Sequence, residues 1–393
     1  MSTWPAVEWE DQTWKPHARW GADAARDVFA ERYRSAVPPR IAQLTPEPSA
    51  EAATSADEAA RELSRLDAEL GGRVASFAPV LLRSEAASSS QIENITASAR
   101  AIFSAELGAK TSRNAQLITA NTRAMTAAIE LAHAATPDSI AHMHEVLMAD
   151  QPRHTPGRWR SEAVWIGTRS DSPIGAEFVA PHHSRIEELV DDVTAFAQRR
   201  DVAPLLSVAV AHAQFETIHP FSDGNGRTGR ALAQSLLRYR GVTRNVAVPV
   251  SAGLLADVAS YHRALTAYRE GDVSPIVTAF SDAAQRAVEN TRALVAELDQ
   301  IRAGWDDRLT VRRSSNAWKL LDVLLRRPVL TSAAAAAELG VQQPNVYPPL
   351  TALVEAGILN SKAEHGLGPF WRSDEVLAAV DRFAQRARRR EAR

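Results

Sequence analysis

Twelve consecutive residues concentrate the chemistry of this chain: His219-Pro220-Phe221-Ser222-Asp223-Gly224-Asn225-Gly226-Arg227-Thr228-Gly229-Arg230. They bring together an imidazole, a carboxylate, glycines, an amide and two guanidiniums. His219 is the one group among them that can take a proton near neutral pH. Gly224 and Gly226 permit positive φ and close backbone approach. N–H groups exposed just before a helix form an anion site. Arg227 and Arg230 are three apart and share a face of the first turn. Two fixed cations beside such a nest suit a polyphosphate better than a single carboxylate. Asp223 offers a hard oxygen to the Mg²⁺ that a polyphosphate carries.

Two helices must hold this stretch. Residues Ala203–Ile218 read as an apolar helix that Pro220 cannot continue, because proline lacks an N–H and clashes with the preceding turn. That puts His219 at a helix end. From Arg227 to Tyr239 a second helix is expected, with Leu232, Leu236 and Tyr239 at helical spacing and Gly241 just beyond. Singly, each residue has an ordinary reading: a helix stop, a turn, a solvated pair of arginines. Their joint spacing carries the argument. Gly224–Gly229 spells G-x-G-x-x-G, but it follows a helix rather than a strand. Residues 247–252 then supply no acid for a ribose. No Gly-Lys-Ser/Thr of a P-loop is present.

The stretch resembles the active-site motif of the Fic family, His-Pro-Phe-x-Asp/Glu-Gly-Asn-Gly-Arg-x-x-Arg, at every fixed position. The resemblance implies a mainly α fold. It would comprise a helical Fic domain with a small β-hairpin flap; the order helix, helix, Gly-containing turn, helix, hairpin over 316–372 adds a C-terminal winged helix-turn-helix. The resemblance also implies transfer of AMP from ATP to a Ser, Thr or Tyr hydroxyl of a protein (AMPylation), with ATP and Mg²⁺ required. Position by position, His219 would be the base and Asp223 the metal ligand. Gly224, Asn225, Gly226 and Gly229, with Arg227 and Arg230, would bind nucleotide, Arg230 taking the γ-phosphate. Phe221 would be a core anchor.

Upstream, Ser89-x-x-x-Glu93-Asn94 matches the family's inhibitory motif, Ser/Thr-x-x-x-Glu-Gly/Asn. In such proteins the glutamate pairs with the second motif arginine, here Arg230. A carboxylate in that fork excludes the γ-phosphate and adds negative charge where the triphosphate sits. Some members use the same glutamate to position water and remove AMP, which the sequence leaves open for Glu93. Residues 163–180 read as two short strands around a turn, and the resemblance identifies them as the flap. There a target segment would dock by strand pairing, which asks little of its sequence.

Three regions are expected: an N-terminal helical region over 1–105 with the inhibitory motif, a catalytic domain over 106–303, and a winged unit over 316–380. In the last, Gln342, Gln343, Asn345 and Tyr347 start the recognition helix, and either DNA or protein could be its partner. A charged linker is expected over 304–315 and a basic tail over 382–393. Tyr261 and Tyr268 are expected in the core rather than beside a nucleobase, and the scattered histidines, His142, His144 and His212 among them, are read as structural. Residues 1–30 carry four tryptophans with no functional reading. With 45% hydrophobic and 23% charged residues the composition is that of a globular protein, and a net charge of −2 gives no global attraction to nucleic acid or membrane. The chain has no cysteine, which excludes disulfides and thiol chemistry and fits a reducing, cytoplasmic setting. No signal pattern opens the chain. Self-modification and a homo-oligomer are further expectations. The competing function is a DNA-binding regulator whose Fic domain senses nucleotide without transferring it. An intact His219 favours the enzyme, because a sensor needs no base.

Overall fold

The computed structural model describes residues 4–14, 31–167, 169, 171–364 and 367–388. Trp20, Thr168, Ser170, Gly366 and the last five residues of the expected basic tail lie outside the described residues.

The described chain is helical with three small antiparallel sheets. Strands β1 (Glu8–Trp14) and β2 (Glu31–Val37) precede α1 (Ala50–Leu70), α2 (Val74–Ile92), α3 (Ala99–Glu106), α4 (Arg113–Glu130) and α5 (Pro137–Met148). Then come β3 (Trp165–Ile166), β4 (Phe178–Val179), α6 (Ile186–Gln198), α7 (Pro204–Ile218) and α8 (Asn225–Tyr239). Helices α9 (Val250–Leu255), α10 (Val258–Arg269) and α11 (Ser274–Arg308) follow. The C-terminal part is α12 (Asn316–Arg326), β5 (Val329–Leu330), α13 (Ser332–Leu339), α14 (Tyr347–Glu355), β6 (Asn360–Glu364), β7 (Gly368–Arg372) and α15 (Asp374–Arg388). No helix among the described residues is long and apolar enough to cross a membrane.

The chain forms two compact units that interleave in sequence: residues 1–57, 131–239 and 259–279, and residues 58–130, 240–258 and 280–393. The first unit is built around α7, whose residues from Leu205 to Ile218 are all buried. In its N-terminal segment β1 pairs antiparallel with β2, registered Glu8↔Val37 through Trp14↔Glu31. That hairpin meets the expected one at 163–180, where Trp165 pairs with Val179 and Ile166 with Phe178. The Trp14 and Trp165 rings meet edge to face at 5.5 Å, and Val7, Ala36, Phe178 and Ala180 share a buried cluster.

In the second unit α2 is packed on α4 and α9. Its serine-rich stretch is poor helix former but good packing material: Ser88, Ser89 and Ser90 are buried, and Asn121 of α4 donates to the Ala86 carbonyl at 2.8 Å and to Ser90 Oγ at 3.1 Å. The helix runs back to Val74, across Pro79. The buried Glu85 accepts the Ser251 N–H at 2.8 Å and its hydroxyl at 2.6 Å, fixing the first turn of α9. Asp67 likewise accepts the N–H groups of Arg244, Asn245 and Val246 at 2.8–2.9 Å. Between Val250 and Arg269 the chain forms two helices, α9 and α10, broken at Ala256–Asp257. The linker expected from 304 begins later, because α11 continues to Arg308. In the C-terminal part the sheet order is β5-β7-β6, and β5 has no counterpart in the sequence reading. Around it lie α12, α13 and α14, with Tyr347 44% exposed at the start of α14.

Candidate functional site

The buried helix α7 ends at His219, whose φ of 50° and ψ of 60° are left-handed. Its N–H still donates to the Phe215 carbonyl at 2.9 Å. The chain then turns through Pro220–Gly224 into α8. Three contacts fix that turn. Phe221 is buried and stacked on His144 at 3.6 Å. Asn225 Oδ1 accepts the Phe221 N–H at 2.9 Å, while its Nδ2 donates to the Phe221 carbonyl at 2.8 Å. His144 Nδ1 accepts the Gly157 N–H at 3.0 Å, so the proton is on Nε2, which donates to the Asp223 carbonyl at 3.1 Å. His144 is therefore structural, as expected, and holds the backbone of the site.

The N–H groups of Asn225, Gly226 and Arg227 precede the first helical bond of α8, Thr228 N–H to Gly224 C=O at 2.9 Å. They lie at the positive end of the helix. With its side chain committed to Phe221, Asn225 has its backbone to offer an anion. Gly224 sits at φ 75°, and a Cβ there would lie 3.1 Å from Met148 Sδ. Arg227 and Arg230 are both 3% exposed, and Arg227 Nη2 is 3.7 Å from Asp223 Oδ1. The Asp223 side chain is 44% exposed. Its Oδ1 accepts the Gly224 N–H at 2.6 Å, and His154 Nε2 lies 3.7 Å from Oδ2. Among the described residues no group of three or more His, Cys, Asp or Glu side chains could hold a metal. A cation here would rest on Asp223 alone and draw its other ligands from nucleotide and water.

Gly229 lies at a helix contact. A Cβ on it would lie 2.6 Å from Glu216 Oε1 and 2.9 Å from Phe215 Cδ1, so it is where α8 approaches α7. Its carbonyl accepts from His212 Nδ1 at 3.0 Å, and His212 Nε2 takes the Tyr261 hydroxyl at 2.7 Å. Tyr268 donates to Gln214 Oε1 at 2.9 Å. Both tyrosines are core residues.

Ser89 and Glu93 belong to the second unit, at the end of α2. Ser89 is fully buried. Glu93 caps the helix, and its N–H donates to the Ser90 carbonyl at 3.1 Å. Asn94 follows at φ 61° and donates to Gln91 O at 2.9 Å. Asparagine or glycine suits that left-handed position after a helix, which gives a physical reason for the residue after Glu93.

Comparison with known proteins agrees with this geometry. Residues 134–237 match the profile of the Fic/DOC family, and residues 53–130 match that of the Fic/DOC family N-terminal region. Over residues 134–237 the chain is thus similar to the Fic/DOC family. It is 27% identical over 184 residues to protein adenylyltransferase fic-1 of Caenorhabditis elegans, covering 47% of this chain and 34% of that one. It is 24% identical over 164 residues to protein adenylyltransferase Fic of Nematostella vectensis, covering 41% and 35%. It thus spans about a third of the length of these curated relatives. A crystal structure of a Fic family protein from Desulfovibrio desulfuricans G20 superposes with a TM-score of 0.52 at 22% identity, over 81% of this chain and 95% of that one. That likeness supports the fold.

His219 is kept neutral. Burial, then the nearby Arg160 and Arg269, push the His219 pKa down to about 4, against smaller opposing pulls from the Glu216 carbonyl and Asp223. Its Nδ1 lies 3.3 Å from the Glu216 carbonyl, which can only accept. The proton is therefore on Nδ1 and the lone pair on Nε2. Arg160 and Arg269 had no signal in the sequence. Arg160 is 4% exposed and hydrogen-bonds to main-chain carbonyls. The Arg269 guanidinium lies 3.7 Å above the Phe178 ring.

Three histidines of the first unit resist protonation. Burial lowers His144 and His219 to about 4 and His212 to about 3. From the ordinary value near 6.5 down to about 4, the unfolded chain takes up protons that the native one refuses. Stability is full above that window and falls as the pH drops through it. The melting temperature is expected to fall steadily between pH 7 and 4.5 in a fluorimetric scan.

Proposed function

We propose that this protein transfers AMP from ATP to a hydroxyl side chain of a protein. The observation that carries the reading is a neutral His219, with its Nε2 lone pair available, held beside an α8 N-terminus flanked by Arg227 and Arg230. His219 takes the hydroxyl proton as the target oxygen bonds to the α-phosphorus. The bond from that phosphorus to the bridging oxygen breaks, and pyrophosphate leaves. The α8 N–H groups and Arg227 would hold the α- and β-phosphates, and Arg230 the γ-phosphate. Asp223 would hold Mg²⁺, which when bound offsets phosphate charge. The relatives are named adenylyltransferases, which supports the same reaction. The hairpin around β3 and β4 would dock the target segment. We also propose that Glu93 restrains transfer by occupying the Arg230 fork, and that this cysteine-free chain works in the cytoplasm.

Label transfer from α-³²P-ATP with Mg²⁺ tests the activity. Glu93→Gly is expected to raise protein labelling about 10- to 100-fold over the wild type. An equal rate in a folded Glu93→Gly protein would remove the restraint hypothesis. No label in any variant, despite ATP binding, would favour the second reading, a nucleotide-sensing DNA-binding regulator. What favours that reading is the order α12, α13, α14 and the β6–β7 hairpin, with Gln342, Gln343, Asn345 and Tyr347 all exposed.

A further inference from the structure

We infer that Arg160 is a positioning residue that registers the β3–β4 hairpin on the His219 imidazole. This rests on the transfer reading above and adds to it a residue outside the motif. The Arg160 guanidinium joins two pieces of chain. Its Nη1 donates to the Glu162 carbonyl at 2.8 Å and its Nη2 to the Pro181 carbonyl at 2.7 Å. Those residues are the two ends of the hairpin. Its Nε donates to the His219 carbonyl at 2.8 Å, and Nη2 also reaches the Ile218 carbonyl at 3.4 Å. Its own N–H donates to the Pro220 carbonyl at 2.9 Å. One planar fork thus spans the entry to the hairpin, its exit, and the turn that carries the base.

These acceptors are all carbonyls, so the hydrogen bonds leave the positive charge intact beside His219. Burial lowers the Arg160 pKa to about 10, and the group stays protonated at neutral pH. Tyr33 of β2 and Glu162 also face it, and Arg269, Glu216 and Asp223 face His219 from other sides. The carbonyl that Arg160 Nε grips belongs to the residue with left-handed φ. A lysine ammonium keeps the charge but lacks the rigid fork that reaches both hairpin ends and the turn together. The Arg269 guanidinium, 3.7 Å over the Phe178 ring, also packs on the hairpin.

The experiment uses the full-length chain with Glu93→Gly as background, and Arg160→Lys and Arg160→Gln within it. Hydrogen exchange is read at the amides of Glu177 and Ala180, which donate to Ile166 and Val164 across the hairpin at 2.9 and 3.0 Å. Transfer to protein and ATP affinity are measured in parallel. Arg160→Lys is expected to retain the melting transition and bind ATP within about twofold of its parent. It is expected to lose about tenfold in protection at those amides and about 100-fold in kcat for transfer. Parental protection and kcat in folded Arg160→Lys would overturn the inference. If Arg160→Gln fails to fold, the lysine variant still decides. If the parent transfers nothing, the transfer reading fails, while amide protection still tests Arg160.

Discussion

Replacing His219 with alanine is expected to lower the rate of transfer by about 10²- to 10⁴-fold, the range a general base supplies. Nucleotide affinity should stay nearly unchanged, because in the proposed arrangement α8 and its arginines, and not the imidazole, would hold the phosphates. The pH profile separates a base from a bystander. With its pKa at about 4, His219 is already neutral at pH 5, so the acid limb should lie near pH 4 and not near the usual imidazole value. Arg269 contributes to that depression. In Arg269→Met the cation is gone, the imidazolium is less disfavoured, and the limb should move to higher pH. A limb that stays in place in Arg269→Met, or near-parental transfer by His219→Ala, would remove this account of the base. The rates are read by label transfer from pH 4 to 8 in three-component buffer at constant ionic strength.

The second large effect concerns stability. A Cβ added at Gly253 would lie 2.1 Å from the Ala283 carbonyl oxygen and 2.5 Å from its Cα. Both obstacles are backbone of α11, so no rotamer change relieves them. Glycine there lets α9 lie against α11 at backbone contact. Gly253→Ala would ordinarily gain helix propensity, roughly 1 kcal/mol. Here the helices must separate, and overpacking of this kind costs about 3 kcal/mol, so the sum is a loss. The melting transition of the second unit should fall by several degrees in differential scanning calorimetry. The contrast is Gly304→Ala, where the added Cβ meets nothing within 4 Å and the helix should gain. If both variants melt alike, the close crossing is not what Gly253 provides.

Legibility followed locality. The motif could be read because its parts lie within one turn and two helix ends. Pro220 after an apolar run marks the stop of α7, and the short β3–β4 hairpin was announced by its turn residues. The resemblance implies Phe221 as a core anchor, and it is buried. What escaped reading depends on distant partners. The β1–β2 hairpin has the sequences Glu-Trp-Glu-Asp-Gln-Thr-Trp and Glu-Arg-Tyr-Arg-Ser-Ala-Val, in which charged and polar residues interrupt the apolar alternation of a strand. Those tryptophans make sense only once Trp165 and Phe178 are opposite them. Arg160 binds main-chain carbonyls, which every residue possesses, so no spacing betrays it. Gly229 was read as part of the phosphate loop because it lies in the motif. Its neighbours across the helix contact are Phe215 and Glu216, one helix earlier.

The left-handed backbone at His219 has a consequence for evolution and for the choice of controls. Holding a histidine at φ 50° costs on the order of 1 kcal/mol relative to a residue that accepts this region. Asparagine accepts it, and glycine pays no Cβ penalty there. Selection for stability alone would therefore favour losing the histidine, and if it is the base proposed here only selection for turnover would keep it. Copies of this gene released from that second pressure should drift first at position 219. For the same reason His219→Asn is the better inactive reference at the bench. It should melt at or above the temperature of the parent, so that its silence in a transfer assay reports missing chemistry and not a damaged fold.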